Sequence, residues 1–403
     1  MITEIPLITL NAGKESSPLR YHPWIFSGAI KSKSREIQEG EIVEVKDSKG
    51  AFLGLGLYQT GSISVRIFSF RKTEVDQKFW KNKLLRAYNL RRKLGLAENK
   101  ETNVYRLFFA EGDGIPGLII DYFNGTAVIQ THSVGAHLLK DQLVQALQEI
   151  YGNQLKAVYD KSEETMPKQT TIKAVNGCLW GATESNEVLE NEHLFKVDWE
   201  AGQKTGFFVD QRESRELVKR YSKDKTVLNT FCYSGGFSVY ALAAGAKEVH
   251  SVDSSKKAIA LCDENVALNN FAGQLTAEGT PLHTSFAQDT FDFLAGRDKY
   301  YDLIILDPPA FAKHQGARHN AIQGYKRLNL EALKQIKPGG IVFTFSCSQV
   351  IDKASFQGAV MAASIESGRT IRILHHLSQP ADHPVSIFHP EGEYIKGLVL
   401  YVE

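Results

Sequence analysis

Polar and apolar residues alternate with period two in the first quarter of the chain. Glu41-Ile-Val-Glu-Val-Lys and Ser62-Ile-Ser-Val-Arg-Ile-Phe read as half-buried strands, and Asp47-Ser-Lys-Gly50 gives a turn signal. The period changes over residues 74–97, where Phe79, Leu84, Leu85, Tyr88 and Leu94 predict a helix with a wide polar face. Over 103–190 the pattern predicts a second, α+β module. Asn124-Gly125 lies between Leu118-Ile-Ile-Asp-Tyr-Phe and Thr126-Ala-Val-Ile-Gln, the signature of a two-residue hairpin. A helix follows at about 135–150, then strands at Leu155-Lys-Ala-Val-Tyr and within 186–199. From 204 onward apolar runs alternate with helical stretches, among them 255–269 and 320–336. The runs are Thr226-Val-Leu-Asn-Thr-Phe, Glu248-Val-His-Ser-Val-Asp, His283-Thr-Ser-Phe, Tyr301-Asp-Leu-Ile-Ile-Leu and Gly340-Ile-Val-Phe-Thr-Phe. That alternation predicts an α/β fold with a parallel sheet covered on both faces. Thr370-Ile-Arg-Ile-Leu and Tyr394-Ile-Lys-Gly-Leu-Val-Leu-Tyr-Val would close the sheet with an antiparallel edge strand.

Charge adds an asymmetry. The 403 residues carry a formal net charge of +1, yet the first 100 hold 18 Lys and Arg against 10 Asp and Glu. Between Arg66 and Lys93 ten basic residues face only Glu74 and Asp76. Such a run is either a solvated helix face or a phosphate-facing surface. No apolar run reaches the ~18 residues of a membrane span. The opening Met-Ile-Thr-Glu-Ile-Pro lacks a secretory pattern, so no membrane contact and a cytoplasmic location are expected. Cys178, Cys232, Cys262 and Cys347 form no CxxC pair, which fits a reducing compartment. His375-His376 and His383 have no carboxylate or cysteine partner at ligand spacing, so no metal is expected.

Candidate chemistry gathers at the strand ends of the last module. The first strand there runs into Phe231-Cys-Tyr-Ser-Gly-Gly-Phe-Ser, whose Gly235 and Gly236 permit close backbone approach ahead of a helix. Asp253 ends the next strand and can accept from ribose hydroxyls, and Asp289 beyond the third can accept from an adenine amine. Gly112-Asp-Gly114-Ile-Pro-Gly117 matches a dinucleotide string, but a strand follows it where the motif requires a helix.

Four motifs in order carry a family resemblance: Asn229-Thr-Phe-Cys-Tyr-Ser-Gly-Gly-Phe-Ser, Val252-Asp-Ser-Ser, Asp307-Pro-Pro-Ala-Phe-Ala-Lys and Ser346-Cys-Ser. Together they resemble class I S-adenosyl-L-methionine-dependent methyltransferases. More narrowly, the chain is similar to the bacterial enzymes that make 5-methylcytosine in large-subunit ribosomal RNA. Arg20-Tyr-His-Pro-Trp-Ile-Phe resembles the opening of that family's PUA domain. Glu111-Gly-Asp-Gly-Ile-Pro-Gly-Leu resembles its small middle domain, and Lys204-Thr-Gly-Phe-Phe-Val-Asp-Gln-Arg the start of its catalytic domain. The resemblance implies a PUA-like RNA-binding domain at 1–75, a strand-strand-helix-strand-strand domain at 76–190, and a Rossmann-like domain with a seven-stranded mixed sheet at 191–403. It implies S-adenosyl-L-methionine bound by Gln211, Asn229, Phe231, Tyr233, Gly235, Gly236, Asp253, Ser254, Asp289 and Asp307. The implied partner is large-subunit ribosomal RNA, and a homodimer is allowed.

Carbon 5 of cytosine is a weak nucleophile, and a thiolate adding at carbon 6 overcomes that by covalent catalysis. Cys347, just past a strand end, is the expected nucleophile, and Asp307 would hold the cytosine amino edge. An ordinary thiol titrates near ~8.5, so something must lower it, and the sequence does not show what. Asp382, Glu391 and Glu393 are candidates for the proton-removing base. Lys81, Lys83, Arg86, Arg91, Arg92 and Lys313 are expected to contact RNA phosphates, and Phe311 to stack on the base. The competing readings are a guanine-N7 or exocyclic-amine methyltransferase on the same fold, and a noncatalytic RNA-binding assembly factor.

Overall fold

The computed structural model describes residues 4–170, 172–295 and 300–403, so the first three residues, part of the opening pattern read above, lie outside it. The chain divides into two compact units. One holds the residues up to Val188 together with Val197–Val209 and Ala381–Gly392; the other holds Leu189–Lys196, Asp210–Pro380 and Glu393–Glu403.

In the first unit, six short strands between Leu7 and Ser69 form one sheet. Its alternation is as the pattern predicts: Val43 and Val45 are buried while Ile42 and Glu44 are partly open. The middle module has a five-stranded sheet in which Phe123 pairs with Thr126 across the Asn124-Gly125 turn. Asn124 and Gly125 have φ of 44° and 99°, as that hairpin requires. Gly112–Gly117 closes a short helix, Ala110–Asp113, and leads into the strand Leu118–Phe123. Two expectations about boundaries change. The modules either side of residue 76 share one apolar core, in which Leu55, Leu57 and Phe68 join Trp80, Leu84 and Tyr105. Residues 381–392 also belong to this unit, although the sequence placed them in the last domain. The cause is polar: Asp382 accepts from the Arg106 amide (3.0 Å), and its carbonyl accepts from buried Arg91 (2.6 Å).

The second unit is built on seven strands: β1 (Thr226–Thr230), β2 (Glu248–Asp253), β3 (His283–Ala287), β4 (Tyr301–Leu306), β5 (Ile336–Ser346), β6 (Ile371–Leu377) and β7 (Lys396–Val402). Their order is β3-β2-β1-β4-β5-β7-β6. All neighbours are parallel except β7, which runs antiparallel to both β5 and β6. Strand β7 is therefore internal, and β6, antiparallel to it, forms that edge of the sheet. Burial explains this. Leu398, Val399, Leu400 and Val402 are inside on both faces, whereas β6 leaves Ile373 and Leu374 exposed. Ser255 and Asp352 cap the helices Lys256–Leu268 and Lys353–Ser367, accepting from the amides of Ala258 and Ser355.

Candidate active site

Strand order reverses between β1 and β4. In a doubly wound sheet the crevice at the carboxyl ends flanking that reversal receives ligands. Five of the predicted residues lie at successive carboxyl ends: Gly235 after β1, Asp253 on β2, Asp289 after β3, Asp307 after β4 and Cys347 after β5.

The loop after β1 is strained. Phe231 (φ 53°), Tyr233 (φ 44°) and Gly235 (φ 75°) are all left-handed, a rare conformation for aromatic residues. Three amides hold it there. Cys232 donates to the Val252 carbonyl (3.0 Å), Gly235 to the Cys232 carbonyl (2.8 Å) and Tyr233 to Asp253 Oδ2 (3.1 Å). The glycines have a different immediate use from the one expected. A Cβ on Gly235 would lie 2.5 Å from Cys262 Sγ, and one on Gly236 would lie 3.0 Å from the Arg215 stem. They let the loop sit down on its neighbours. Arg215 is fixed in turn by a two-bond pair with buried Glu190 (2.7 and 2.8 Å). Buried Cys232 and Cys262 are packing groups; a hydrogen bond from Cys232, then His283, draws the Cys262 thiol down.

The donor set fits S-adenosylmethionine. Each Asp253 oxygen takes one amide, from Tyr233 and from Ser255 (2.8 Å), and a carboxylate oxygen has a further lone pair for a ribose hydroxyl. Asn229 Nδ2 donates to Ser238 Oγ (2.9 Å) while its buried Oδ1 has no partner among the described residues. Gln211 Nε2 donates to Asp307 Oδ2 (3.1 Å), and its buried Oε1 is likewise unpartnered. Two orphaned buried acceptors call for donors from a ligand. Asp289 is exposed, and its Oδ1 caps the helix Thr290–Ala295 through the amides of Phe291 and Asp292. Ser254 is exposed beside Asp253.

Cys347 is half-buried, with Sγ 3.9 Å from the Pro308 carbonyl. The Asp307-Pro-Pro wall and the candidate nucleophile therefore meet at one sheet edge. Sequence reasoning missed two neighbours. Lys396 opens β7 opposite Ser346, and its buried ammonium donates to the carbonyls of Ser348 (2.6 Å) and Tyr394 (2.7 Å). Burial pulls Lys396 down to about 8, against an upward pull from Cys347. A lysine opening an otherwise apolar strand was the available signal. The second is Tyr325, whose hydroxyl burial pushes up to about 12.

Other expected residues are reassigned by their surroundings. The half-buried ring of Phe311 packs on Tyr325 with centroids 4.6 Å apart and lies against Gly324. Lys313 is exposed. In the basic run, Arg91 is 0% exposed, so it leaves the phosphate-contacting set. Its guanidinium makes a two-bond pair with Asp113 (2.7 and 2.8 Å) and donates to the Arg106 carbonyl (2.8 Å). Lys83 leaves the set as well: its ammonium is tied to the carbonyls of Phe68 (2.7 Å) and Gly114 (3.0 Å). Lys81 pairs with Glu149 and Arg92 with Glu98 at the surface, and Arg86 is exposed. Among the base candidates, Asp382 is buried and committed to Arg106, Glu391 pairs with His22, and Glu393 pairs with Lys353.

Comparisons with known proteins bear on this geometry. Residues 8–70 match the model of a PUA-like domain, and residues 126–386 match that of an S-adenosylmethionine-dependent methyltransferase. The ribosomal RNA large subunit methyltransferase I of Tolumonas auensis is 38% identical over 401 residues, 98% of each chain. The protein of the same name from Pseudoalteromonas translucida is 38% identical over 402 residues, 98% of this chain and 99% of its own. Among solved structures, a SAM-dependent methyltransferase from Streptococcus mutans superposes with a TM-score of 0.81 at 21% identity, covering 99% of this chain and all of its own. A structure described as a methyltransferase complexed with SAH gives 0.83 at the same identity and coverage. At that identity the two structures speak for the fold.

Proposed function

Since the chain belongs to the ribosomal RNA large subunit methyltransferase I family, S-adenosylmethionine-dependent enzymes, we propose that it methylates carbon 5 of a cytosine in that RNA through a covalent Cys347 adduct. The observation that carries this reading is a half-buried thiol 3.9 Å from the carbonyl of the Asp307-Pro-Pro wall, at the carboxyl end of β5. Methylation of a ring or exocyclic nitrogen would use a lone pair and give a thiol at that position no task.

Asp253, Asn229 and Gln211 would hold the cofactor, which supplies an electrophilic methyl group. The chain's own residues do the rest. Asp307, oriented by Gln211, accepts from the cytosine amine and fixes the ring. The Cys347 sulfur forms a bond to carbon 6, and the ring electron pair moves to carbon 5, making it nucleophilic. After carbon 5 is methylated, a base removes its proton, the electron pair returns, and the carbon–sulfur bond breaks to regenerate the thiolate. The target must lie unpaired or be turned out of a helix to reach this edge. Phosphate contact falls to the exposed cations Arg86 and Lys313, with Lys81 and Arg92, whose surface ion pairs are weak enough to exchange.

The test uses the full chain, methyl-labelled S-adenosylmethionine and large-subunit ribosomal RNA digested to nucleosides. The expected product is 5-methylcytidine, and Cys347→Ala is expected to lose turnover while still binding S-adenosylhomocysteine. A Cys347→Ala variant turning over at the parent rate would overturn the covalent reading in favour of nitrogen methylation.

A further inference from the structure

We infer that Lys396 is a positioning residue that holds the Cys347 sulfur in its thiolate form. This deepens the covalent reading above and rests on it. The register places the lysine. Lys396 and Ser346 are directly opposed across the antiparallel β5–β7 pair, and the ammonium reaches forward to the Ser348 carbonyl. It therefore lies along the 346–348 segment, with Cys347 in its middle. An ammonium has three donors in fixed tetrahedral directions. Two are taken by the carbonyls of Ser348 and Tyr394, which leaves the third for an acceptor.

Burial sharpens the point. Lys396 is 6% exposed, and among the described residues no carboxylate forms an ion pair with it. A buried cation without a counter-charge is costly, so such groups are paired or neutral. The acidic side chains within electrostatic reach of Lys396 are Cys347 first, then Glu393 and Asp352, with the Lys353 cation opposing them. Glu393 is already paired with Lys353, and Asp352 with Arg318 while capping a helix. Cys347 is the acidic group left to balance the ammonium. The other groups acting at this edge do not supply the charge: Tyr325 is held neutral by burial, and Asp307 is an anion that opposes a thiolate. The proton balance is simple. The thiol's proton corresponds to the third proton of the ammonium, so a neutral thiol and amine and a thiolate–ammonium pair carry the same net charge. Lys396 keeps its proton through addition and elimination.

An opposite charge within ~4–6 Å lowers a thiol or carboxyl pKa by roughly 1–3 units. Cys347 would then titrate nearer neutrality than the ~8.5 of a free thiol, and the thiolate fraction at pH 7 would rise from a few per cent to a substantial share. This supplies what the sequence did not show.

The experiment follows carboxamidomethylation of Cys347 by iodoacetamide against pH, read on its own peptide by mass spectrometry in the full chain without RNA. The expected midpoint is about one unit or more below ~8.5 in the parent protein, raised by about one unit or more in Lys396→Met and kept low in Lys396→Arg. A Lys396→Met midpoint equal to the parent's overturns the inference. If that variant does not fold, the reciprocal measurement serves. The Lys396 ammonium, followed by NMR, is expected to titrate lower in Cys347→Ser, and an unchanged value there also overturns it. Neither readout requires methyl transfer, so failure here is separate from a Cys347→Ala variant that still methylates RNA.

Discussion

Arg91 tests how the basic run between Arg66 and Lys93 should be understood. The sequence offers it to RNA, whereas the structure encloses it: 0% exposed, paired with an Asp113 carboxylate that is itself 5% exposed. In Arg91→Met, Asp113 keeps only the Phe109 amide (2.6 Å), and the carbonyls of Arg106 and Asp382 lose a charged donor. Breaking a buried pair from one side costs about 3–5 kcal/mol, because the remaining charge is left without compensation. For a unit of this size that is a fall in melting temperature of roughly 6–20 °C. Circular dichroism melts of the full chain would read it. The double variant Arg91→Met, Asp113→Leu should recover much of the loss, since an apolar pair leaves no buried charge. RNA binding gives the second arm. The slope of log K against log salt should be unchanged by Arg91→Met in the folded protein, and should fall by about one phosphate equivalent in exposed Arg86→Glu. If Arg91→Met melts like the parent and flattens the salt dependence, the guanidinium is in solvent and this reasoning is wrong.

Two further outcomes are expected. Gly235→Ala combines a left-handed backbone with a methyl 2.5 Å from Cys262 Sγ, so the loop must shift, and calorimetry should show S-adenosylhomocysteine binding weakened by roughly tenfold or more. Gly245→Ala carries a similar φ of 81° in open space and should lose a little stability without that loss of affinity; equal affinities in the two variants would refute the packing role. Lys83 is pulled down to about 8 by burial and then by Arg86, from 10.5. Its unfolded form binds more protons between those values, so the parent's stability should rise relative to Lys83→Met as pH increases from 8 to 10.5, measured by urea denaturation. A difference that stays flat across that window would show the ammonium is not buried.

What was legible in the sequence follows from how local each signal is. Strand periods, the Asn124-Gly125 turn and the order of motifs at strand ends are carried by neighbouring residues, and these appear in the structure where expected. Partners distant in the chain were not legible. The cation at Arg91 finds its anion 22 residues on at Asp113 and a carbonyl 291 residues on at Asp382. Nothing near Arg91 announces either, so its charge read as surface. The internal place of β7 had a signal that was underused: Gly397-Leu-Val-Leu-Tyr-Val is apolar on both faces, while Thr370-Ile-Arg-Ile-Leu is not. Lys396 belongs with that run. Its meaning depends on the register with Ser346, which periodicity alone cannot supply.

The interleaving of β7 between β5 and β6 has a consequence for how the protein is made. β6 leaves the ribosome before β7, yet among the described residues β7 is its one neighbour in the sheet. During translation β6 has nothing to pair with, and β5 presents an open flank, until the later strand arrives and joins both at once. At synthesis rates of about 5–20 residues per second, that interval is on the order of a second. Lys396 arrives on the same strand, so the nascent sheet gains its last two hydrogen-bonded ladders and its buried ammonium in a single late event.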